Sequence, residues 1–280
     1  MSKSIKSSLA LCLILLLASF SIDNVNGNDI TTTPETERAV MDIMADPNIK
    51  ELDNLDSRKQ GWGQGVRMDA DNRPISCTDF QNKYGKYDAI FIKDNTKKIY
   101  LTFDEGYENG YTSSILDVLK DEKVTAVFFV THDYVKRNHD LVQRMIDEGH
   151  VIGNHSYTHP SMPTLSISKA SSEIMDMHNY MKENFNYTMT LFRPPMGEFS
   201  ERTLALTQRL GYKSVFWSFA YADWDTSKQR GPDKAYTKVV SGLHNGAVYL
   251  LHAVSKDNAE ILRSFIEEAE KEGYEFEKLS

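Results

Sequence analysis

The residues with the clearest chemical potential follow apolar runs along the chain, and the first are two adjacent acids. Asp104 and Glu105 come directly after the run 99–103, and Glu108 follows closely. Adjacent carboxylates at the end of a buried strand have three interpretations: a solvated turn, a metal site or a catalytic base. The pair by itself leaves all three open.

A histidine pair provides a second candidate. His155 and His159 are four residues apart, and two imidazoles at this spacing can bind one metal ion such as Zn, Co, Fe or Ni. Pro160 disfavours helical geometry at His159, so we expect the pair on a loop, where two polar residues can also coincide without function. A third ligand from another strand end would favour the metal, and Glu105 is the candidate.

If Glu105 and the histidines hold a metal ion, Asp104 is free for another task. A carboxylate beside a metal-bound water can remove its proton. Arg193, in Arg-Pro-Pro, could keep Asp104 ionised through a charge-assisted hydrogen bond. A structural arginine that braces a rigid loop fits the same residues equally well.

His252 ends the apolar run 247–251, where a lone histidine is more often a core residue than a catalyst. Asp223 favours the catalytic interpretation of His252, because it follows the preceding strand-like run. A carboxylate can fix the tautomer of an imidazole and raise its pKa, which produces a usable general acid. Trp224 follows Asp223 and suits either the floor of a sugar-binding groove or an ordinary core position.

These residues lie at the ends of regularly alternating elements. Helical patterns separate the strands, as in the 3-4-3-4 apolar spacing of 167–181. Such alternation predicts an α/β fold, a distorted (β/α) barrel of about seven parallel strands with a short irregular N-terminal extension. In barrels the chemistry sits at the C-terminal strand ends. The predicted strands are 98–102, 125–130, 150–153, 191–193, 214–219, 247–251 and 274–278.

The N-terminal part predicts export. Lys3 and Lys6 precede an apolar run over 9–20, which is typical of a secretory signal peptide over residues 1–27. The run is short for a membrane span, although an uncleaved anchor stays open as the one route to a membrane partner. We assign 28–96 to an N-terminal arm and cap and 97–280 to the catalytic domain.

Composition narrows the classes of molecule that this protein is expected to bind. The formal net charge is −8 and no long basic run is present, which argues against nucleic acid or an anionic membrane surface as the main partner. Cys12 lies inside the apolar run, so the mature chain keeps Cys77 alone and has no internal disulfide.

The motifs together resemble the polysaccharide deacetylase family (NodB homology, carbohydrate esterase family four). Within that family the chain is most similar to the delta-lactam-biosynthetic de-N-acetylases. The resemblance covers about residues 97–280 and rests on five motifs in one order. They are Thr102-Phe-Asp-Glu-Gly106, His155-Ser-Tyr-Thr-His159, Arg193-Pro-Pro-Met-Gly197, Asp223-Trp224 and Leu250-Leu-His252.

The resemblance implies hydrolysis of an N-acetyl group on a glycan. In the subgroup the substrate is N-acetylmuramic acid in peptide-free peptidoglycan, and the freed amine closes to the muramic δ-lactam of spore cortex. It implies an exported protein, secreted or associated with the cell wall (between the membranes of a forming spore), with no stable protein partner. The implied roles are Asp104 as base, His155 and His159 as metal ligands, Arg193 orienting Asp104, Asp223 supporting His252, His252 as acid and the Met196 backbone N–H at the oxyanion.

One position departs from the family pattern. Most members have Asp as the third metal ligand where this chain has Glu105, which carries the same charge on a longer stem. We therefore expect a divalent ion, zinc first and cobalt or manganese as alternatives. Whether the activity requires this ion depends on whether Glu105 can bind it. Two rivals remain: a deacetylase of another polysaccharide (peptidoglycan N-acetylglucosamine, chitin oligomers or xylan), and a glycan-binding protein that has lost its metal.

Overall fold

A computed structural model describes Arg38 and residues 49–279 of the chain. The strands of this part are β1 (Gln60–Gly61), β2 (Ala89–Ile90), β3 (Lys98–Glu105), β4 (Val127–Val130), β5 (Val151–Asn154), β6 (Leu191–Phe192), β7 (Glu198–Phe199), β8 (Lys213–Val215), β9 (Ala247–His252) and β10 (Glu275–Phe276). Its helices are α1 (Ile49–Asp53), α2 (Ile75–Tyr84), α3 (Thr112–Asp121), α4 (His132–Arg137), α5 (His139–Asp147), α6 (Ile167–Phe185), α7 (Glu201–Arg209), α8 (Pro232–Val240) and α9 (Lys256–Lys271).

The main sheet is parallel and curls towards a barrel. Its order is β10-β3-β4-β5-β6-β8-β2, with β9 paired along the other edge of β3. Beyond β8, Phe219 forms a parallel bridge to Tyr249 of β9, which brings the two ends of the curl together. This architecture confirms the predicted α/β barrel, and all seven predicted strands are present.

Side-chain alternation along β3 divides the barrel interior from the layer beneath the helices. Tyr100 packs with interior residues of neighbouring strands, including Val127 and Phe129. Ile99, Leu101 and Phe103 instead pack in the large core between the sheet and the helices. Successive residues of a strand point to opposite faces, so this division decides where any residue of β3 can act.

The surrounding helices follow their sequence patterns. In α6 the residues Ala170, Ile174, Met177 and Met181 are buried, as the predicted apolar face requires. At α9, the Ser255 hydroxyl accepts a hydrogen bond from the Asn258 backbone N–H and caps the helix. This cap fixes the start of α9 immediately after His252.

The segment before β3 packs against the barrel more closely than an irregular extension suggests. β2 pairs with β8 as a strand of the main sheet. Trp62 and Phe91 join an aromatic cluster with Phe216, in which Phe91 and Phe216 stack 4.2 Å apart. Leu52 of α1 is buried in the main core, although the sequence predicts an arm there.

The predicted signal peptide, residues 1–27, lies outside the described residues. Among the residues that the structure describes, none of the helices has the length and apolar character needed to cross a membrane.

Candidate active site

The two adjacent acids are separated by the strand that carries them. The sequence places Asp104 and Glu105 after a strand that ends at residue 102, but β3 continues through Glu105. Asp104 therefore shares the inward face with Tyr100, and Glu105 shares the helix-facing side with Phe103. Only Asp104 lines the cavity at the top of the barrel.

A buried arginine holds Asp104. Arg193, which follows β6, donates from Nη1 to Asp104 Oδ1 at 2.7 Å and is fully buried. Its Nε and Nη2 donate to the carbonyl oxygens of Val215 and Phe216, and its guanidinium carbon lies 4.1 Å from the centre of the Phe129 ring. Burial is the largest influence and would by itself raise the pKa of Asp104, but the charges of Arg193, His155 and His252 and the hydrogen bond from Arg193 together lower it. Asp104 is therefore an ionised carboxylate.

The two histidines lie beside this carboxylate, on the loop after β5. The ring centres of His155 and His159 are 4.8 Å apart, and His155 Nε2 is 3.5 Å from Asp104 Oδ2. His155 Nδ1 lies 2.8 Å from the Arg193 carbonyl oxygen, so Nδ1 carries the proton and Nε2 presents a lone pair. Burial lowers the pKa of His155 to about 4 and also lowers that of His159. Both rings are neutral at physiological pH.

His252, which pairs with Asp104 across the neighbouring strands β9 and β3, has a carboxylate partner of its own. Its Nδ1 lies 2.7 Å from Asp223 Oδ1, and its backbone N–H donates to Asp223 Oδ2 at 2.9 Å. Asn258 donates from Nδ2 to the same Oδ2 at 2.6 Å, which fixes the buried carboxylate. Burial disfavours the imidazolium, but the charge and hydrogen bond of Asp223 prevail and the pKa of His252 is raised. This is the state that a general acid requires.

The remaining predicted residues line the same cavity. Met196 lies in a tight turn after Arg193 with φ of 58°, a left-handed conformation that is unusual for a side-chain-bearing residue. The following residue must be glycine, because a Cβ on Gly197 would come within 2.7 Å of the Trp217 ring. Trp224 is 57% exposed and its ring centre lies 6.1 Å from that of His252. An exposed indole beside the reacting groups suits the face of a sugar ring.

Three adjoining cavities make the site an elongated groove. The largest, about 450 Å³, has Asp104 and His252 on its walls with Trp217, Tyr221 and Trp224. A second of about 170 Å³ also contains Asp104 and extends to Tyr107. The third, about 320 Å³, continues past Tyr107 and is lined by hydroxyl-bearing and acidic side chains: Thr131, Asp133, Tyr157 and Thr158. This length suits a chain of sugars better than a single small molecule.

The chain is similar in sequence and fold to known proteins. A peptidoglycan-N-acetylmuramic acid deacetylase from Bacillus subtilis, PdaA, is 46% identical over 196 residues, which cover 69% of this chain and 74% of that protein. The chain belongs to the polysaccharide deacetylase family. The family model for polysaccharide deacetylases matches residues 92–215. A solved structure of Bacillus subtilis PdaA, described as a family 4 carbohydrate esterase, has a TM-score of 0.75 and 42% identity, covering 79% of this chain and 95% of that one.

A more distant relative carries a different substrate in its name. A peptidoglycan-N-acetylglucosamine deacetylase from Bacillus cereus is 32% identical over 192 residues, which cover 68% of this chain and 89% of that protein. Polysaccharide deacetylases hydrolyse N-acetyl amide bonds, so membership identifies this chain as a hydrolase and confirms the resemblance seen in its motifs.

Polysaccharide deacetylases generally use a divalent metal, and the residues of this chain fit one only in part. Two neutral imidazoles, His155 and His159, face the cavity, and the proton on His155 Nδ1 orients its ring as in metal sites. Glu105 does not join them. Among the described residues, no group of three or more His, Cys, Asp or Glu side chains is arranged for a metal ion.

The prediction that Glu105 is the third ligand is therefore corrected. Both of its carboxylate oxygens are buried without a hydrogen-bond partner on the helix-facing side of β3. Burial, with Glu108 and Asp104 nearby, raises the pKa of Glu105 well above its usual value. An acid that is neutral and turned away from the cavity supplies no ligand there.

Several supporting residues were missed by sequence reasoning. Asn154 at the end of β5 accepts from the Ser156 N–H at 2.8 Å and holds the start of the histidine loop. Glu173 of α6 accepts from both the N–H and the hydroxyl of Thr158, just before His159. Asn258, which binds Asp223, is the one of the three with a sequence signal, because it lies in the stretch after Leu250-Leu-His252 that resembles the family.

Proposed function

We propose that this protein is an exported peptidoglycan deacetylase that removes the acetyl group from N-acetylmuramic acid in peptide-free glycan strands. One observation supports hydrolysis most directly: an ionised carboxylate, Asp104, and a paired imidazole, His252, lie side by side on the neighbouring strands β3 and β9 and line one cavity. Binding alone requires neither a base nor a charged acid. The choice of sugar is supported by the relative of 46% identity.

The reaction needs two proton transfers, and the chain has a group for each. Asp104 accepts a proton from water as the water oxygen attacks the acetyl carbonyl carbon. The tetrahedral oxyanion is placed at the turn of Met196, whose backbone N–H is the proposed donor. His252 then gives its proton to the nitrogen as the C–N bond breaks, which yields acetate and the free amine of the sugar.

A divalent ion, when bound, would be held by His155 and His159, and zinc suits two imidazoles best, with cobalt or manganese as alternatives. Such an ion supplies Lewis-acid polarisation of a carbonyl or of water.

The product of this reaction predicts a second chemical step. Removal of the acetyl group leaves an amine on C2 next to the lactyl carboxyl on O3, and their condensation with loss of water gives the muramic δ-lactam. We propose that the protein serves lactam formation in spore cortex and that the predicted signal peptide, residues 1–27, directs its export, so that it acts outside the membrane.

The rival substrate is the N-acetylglucosamine unit of peptidoglycan, which carries no lactyl group. It is favoured by one observation: neither lysine nor arginine lines any of the three cavities of the groove. An uncharged sugar needs no such partner, and the relative from Bacillus cereus bears this substrate in its name. Chitin oligomers or xylan are further alternatives of the same chemistry.

Acetate release from peptide-free strands, with mass analysis of each sugar, tests the proposal. We expect loss of 42 mass units, the mass of one acetyl less one hydrogen, at muramic residues, as a tetrahedral amide hydrolysis requires. The matched control is the variant Asp104→Asn on the same strands. Acetate loss confined to glucosamine residues, or acetate from chitin oligomers alone, would move the protein to the rival substrate.

A further inference from the structure

The absence of a lysine or arginine side chain from the walls of the groove poses a problem for a muramic substrate. The lactyl carboxylate of that unit is attached at O3, beside the acetamido group at C2 that reacts, so it must lie within a few ångströms of the site. A carboxylate that leaves water without a partner is strongly disfavoured. The formal net charge of −8 and the nearby Asp104 add repulsion.

Arg193 is unsuited to this task. Its side chain is fully buried, and its guanidinium already donates to Asp104 and to two backbone carbonyl groups. A second anion would compete with Asp104 for the same donors and would weaken the base. The partner of the lactyl group must therefore come from outside the catalytic set.

Arg230 is placed to supply it. It lies on the loop after Phe219 that also carries Asp223 and Trp224, and its side chain is exposed. Its guanidinium carbon is 5.9 Å from the centre of the Tyr221 ring, which lines the largest cavity. Within the described residues this guanidinium has no carboxylate or hydrogen-bond partner.

The residues on both sides of Arg230 are anchored. Gln229 donates from Nε2 to the carbonyl oxygen of Asp223 at 3.0 Å, and the Gly231 N–H donates to Asp257 Oδ2 at 2.9 Å. Asp257 belongs to the first turn of α9. These bonds fix the base of the arginine beside the wall that carries His252, while the side chain stays free to turn over Tyr221.

We propose that Arg230 binds the lactyl carboxylate of the muramic unit and thereby selects that unit over N-acetylglucosamine. This inference rests on the proposed function and adds the residue that determines its specificity. A planar guanidinium binds a carboxylate through two parallel charge-assisted hydrogen bonds, a geometry that lysine cannot reproduce. Because the lactyl charge does not change during acetyl hydrolysis, the contact contributes to KM rather than to kcat.

Two substrates that differ only in this charge test the proposal: peptide-free strands, and the same strands with the lactyl carboxyl converted to its methylamide. We expect Arg230→Ala to lower kcat/KM on the charged strands by about tenfold to a hundredfold, mainly through KM, as for a hydrogen bond to a charged group. On the methylamide strands, wild type and Arg230→Ala should be equal. Arg230→Lys should recover part of the loss.

Lys228→Ala is the matched control, because Lys228 is an exposed cation of the same loop that pairs with Asp225 at 3.0 Å. Lys228→Ala should leave kcat/KM unchanged on both the charged strands and the methylamide strands. An equal loss by Arg230→Ala on both substrates, or no loss on either, would overturn the role of Arg230 while leaving the proposed function intact. A wild-type enzyme that deacetylates only glucosamine units would instead overturn the proposed function, and the role of Arg230 with it.

Discussion

Asp104 and Glu105 are neighbours in the chain, but their carboxylates lie on opposite faces of β3. One accepts a hydrogen bond from Arg193 inside the barrel, and the other is buried without a partner beneath the helices. The strand therefore presents a single reacting carboxylate to the groove. Because successive side chains of a strand point to opposite faces, the two acids cannot belong to one site in which one binds a metal ion and the other acts as the base.

This separation makes Asp104 the residue on which turnover depends. We expect Asp104→Asn to lower kcat by roughly 10² to 10⁴, the range for loss of a general base, when acetate release from glycan strands is measured. The amide keeps an oxygen for Arg193 Nη1 but leaves its charge unbalanced, so a lower melting temperature is also expected. Near-normal acetate release from a folded Asp104→Asn variant would refute the assignment.

Glu105 should be dispensable for metal binding. We expect Glu105→Gln to bind zinc with the affinity of the wild type in isothermal titration calorimetry, because Glu105 faces away from the histidines. His159→Ala is the matched variant on the cavity side and should weaken zinc binding by at least about tenfold, because removal of a ligand costs no less than loss of an outer-shell partner of a ligand. The reverse pattern, with loss in Glu105→Gln, would show that the loop rearranges to bring Glu105 to the ion.

The pH profile should report the pairing of His252 with Asp223. His252 acts protonated, so activity is lost as pH rises through its pKa, which lies above the usual value of about 6.5. In Asp223→Asn the raising charge is gone while burial remains, so the alkaline limb of kcat/KM should move to lower pH. The free energy of unfolding depends on pH in the same direction. The His252–Asp223 pair stabilises the folded state fully below the pKa that His252 has in the unfolded chain, and this contribution is lost as the pH rises through the pKa of His252 in the folded protein.

A profile of kcat/KM against pH for both proteins measures this shift. Lys228→Ala, which alters a charge on the same loop, should leave the limb in place. An alkaline limb that stays unmoved in Asp223→Asn would mean that another group titrates there.

The sequence was informative wherever local pattern and tertiary position agree. Apolar runs located the strands of the barrel, and the 3-4-3-4 spacing located the buried face of α6, because both periods arise from the element itself. The residues at strand ends then converge on one cavity because the strands are parallel. The sequence pattern alone therefore predicts that Asp104, His155 and His252 lie close together.

The features that were not predicted from the sequence depend on contacts between residues that are distant in the chain, which no local pattern encodes. Acidic residues normally mark the end of a strand in a sequence pattern. Here burial and pairing with β4 extend β3 through Glu105, so the side chain of Glu105 lies on the helix-facing side of the strand and not in the cavity. Trp62, Phe91 and Phe216 are far apart in the chain, so their packing could not be predicted from spacing. Arg230 lies in a polar loop, where its position over Tyr221 is visible only in three dimensions.

A glycine of the neighbouring strand should also control the position of Arg193. Gly153 of β5 leaves room for the Phe129 ring, and a Cβ at this position would clash with that ring. The same ring lies against Arg193, whose guanidinium carbon is 4.1 Å from the ring centre. We therefore expect Gly153→Ala to displace Phe129, disturb the bond from Arg193 to Asp104 and lower kcat by tenfold or more, in the way that small misplacements near a site do.

Acetate release and a thermal melt, measured side by side, separate this effect from general instability. Overpacking of a tight core costs about 1–3 kcal/mol, so a lower melting temperature is expected as well. Gly63→Ala is the matched control, because nothing lies within 4 Å of a Cβ at that position. A Gly153→Ala variant that melts earlier but keeps its full kcat would show that Arg193 holds its place without the ring beneath it.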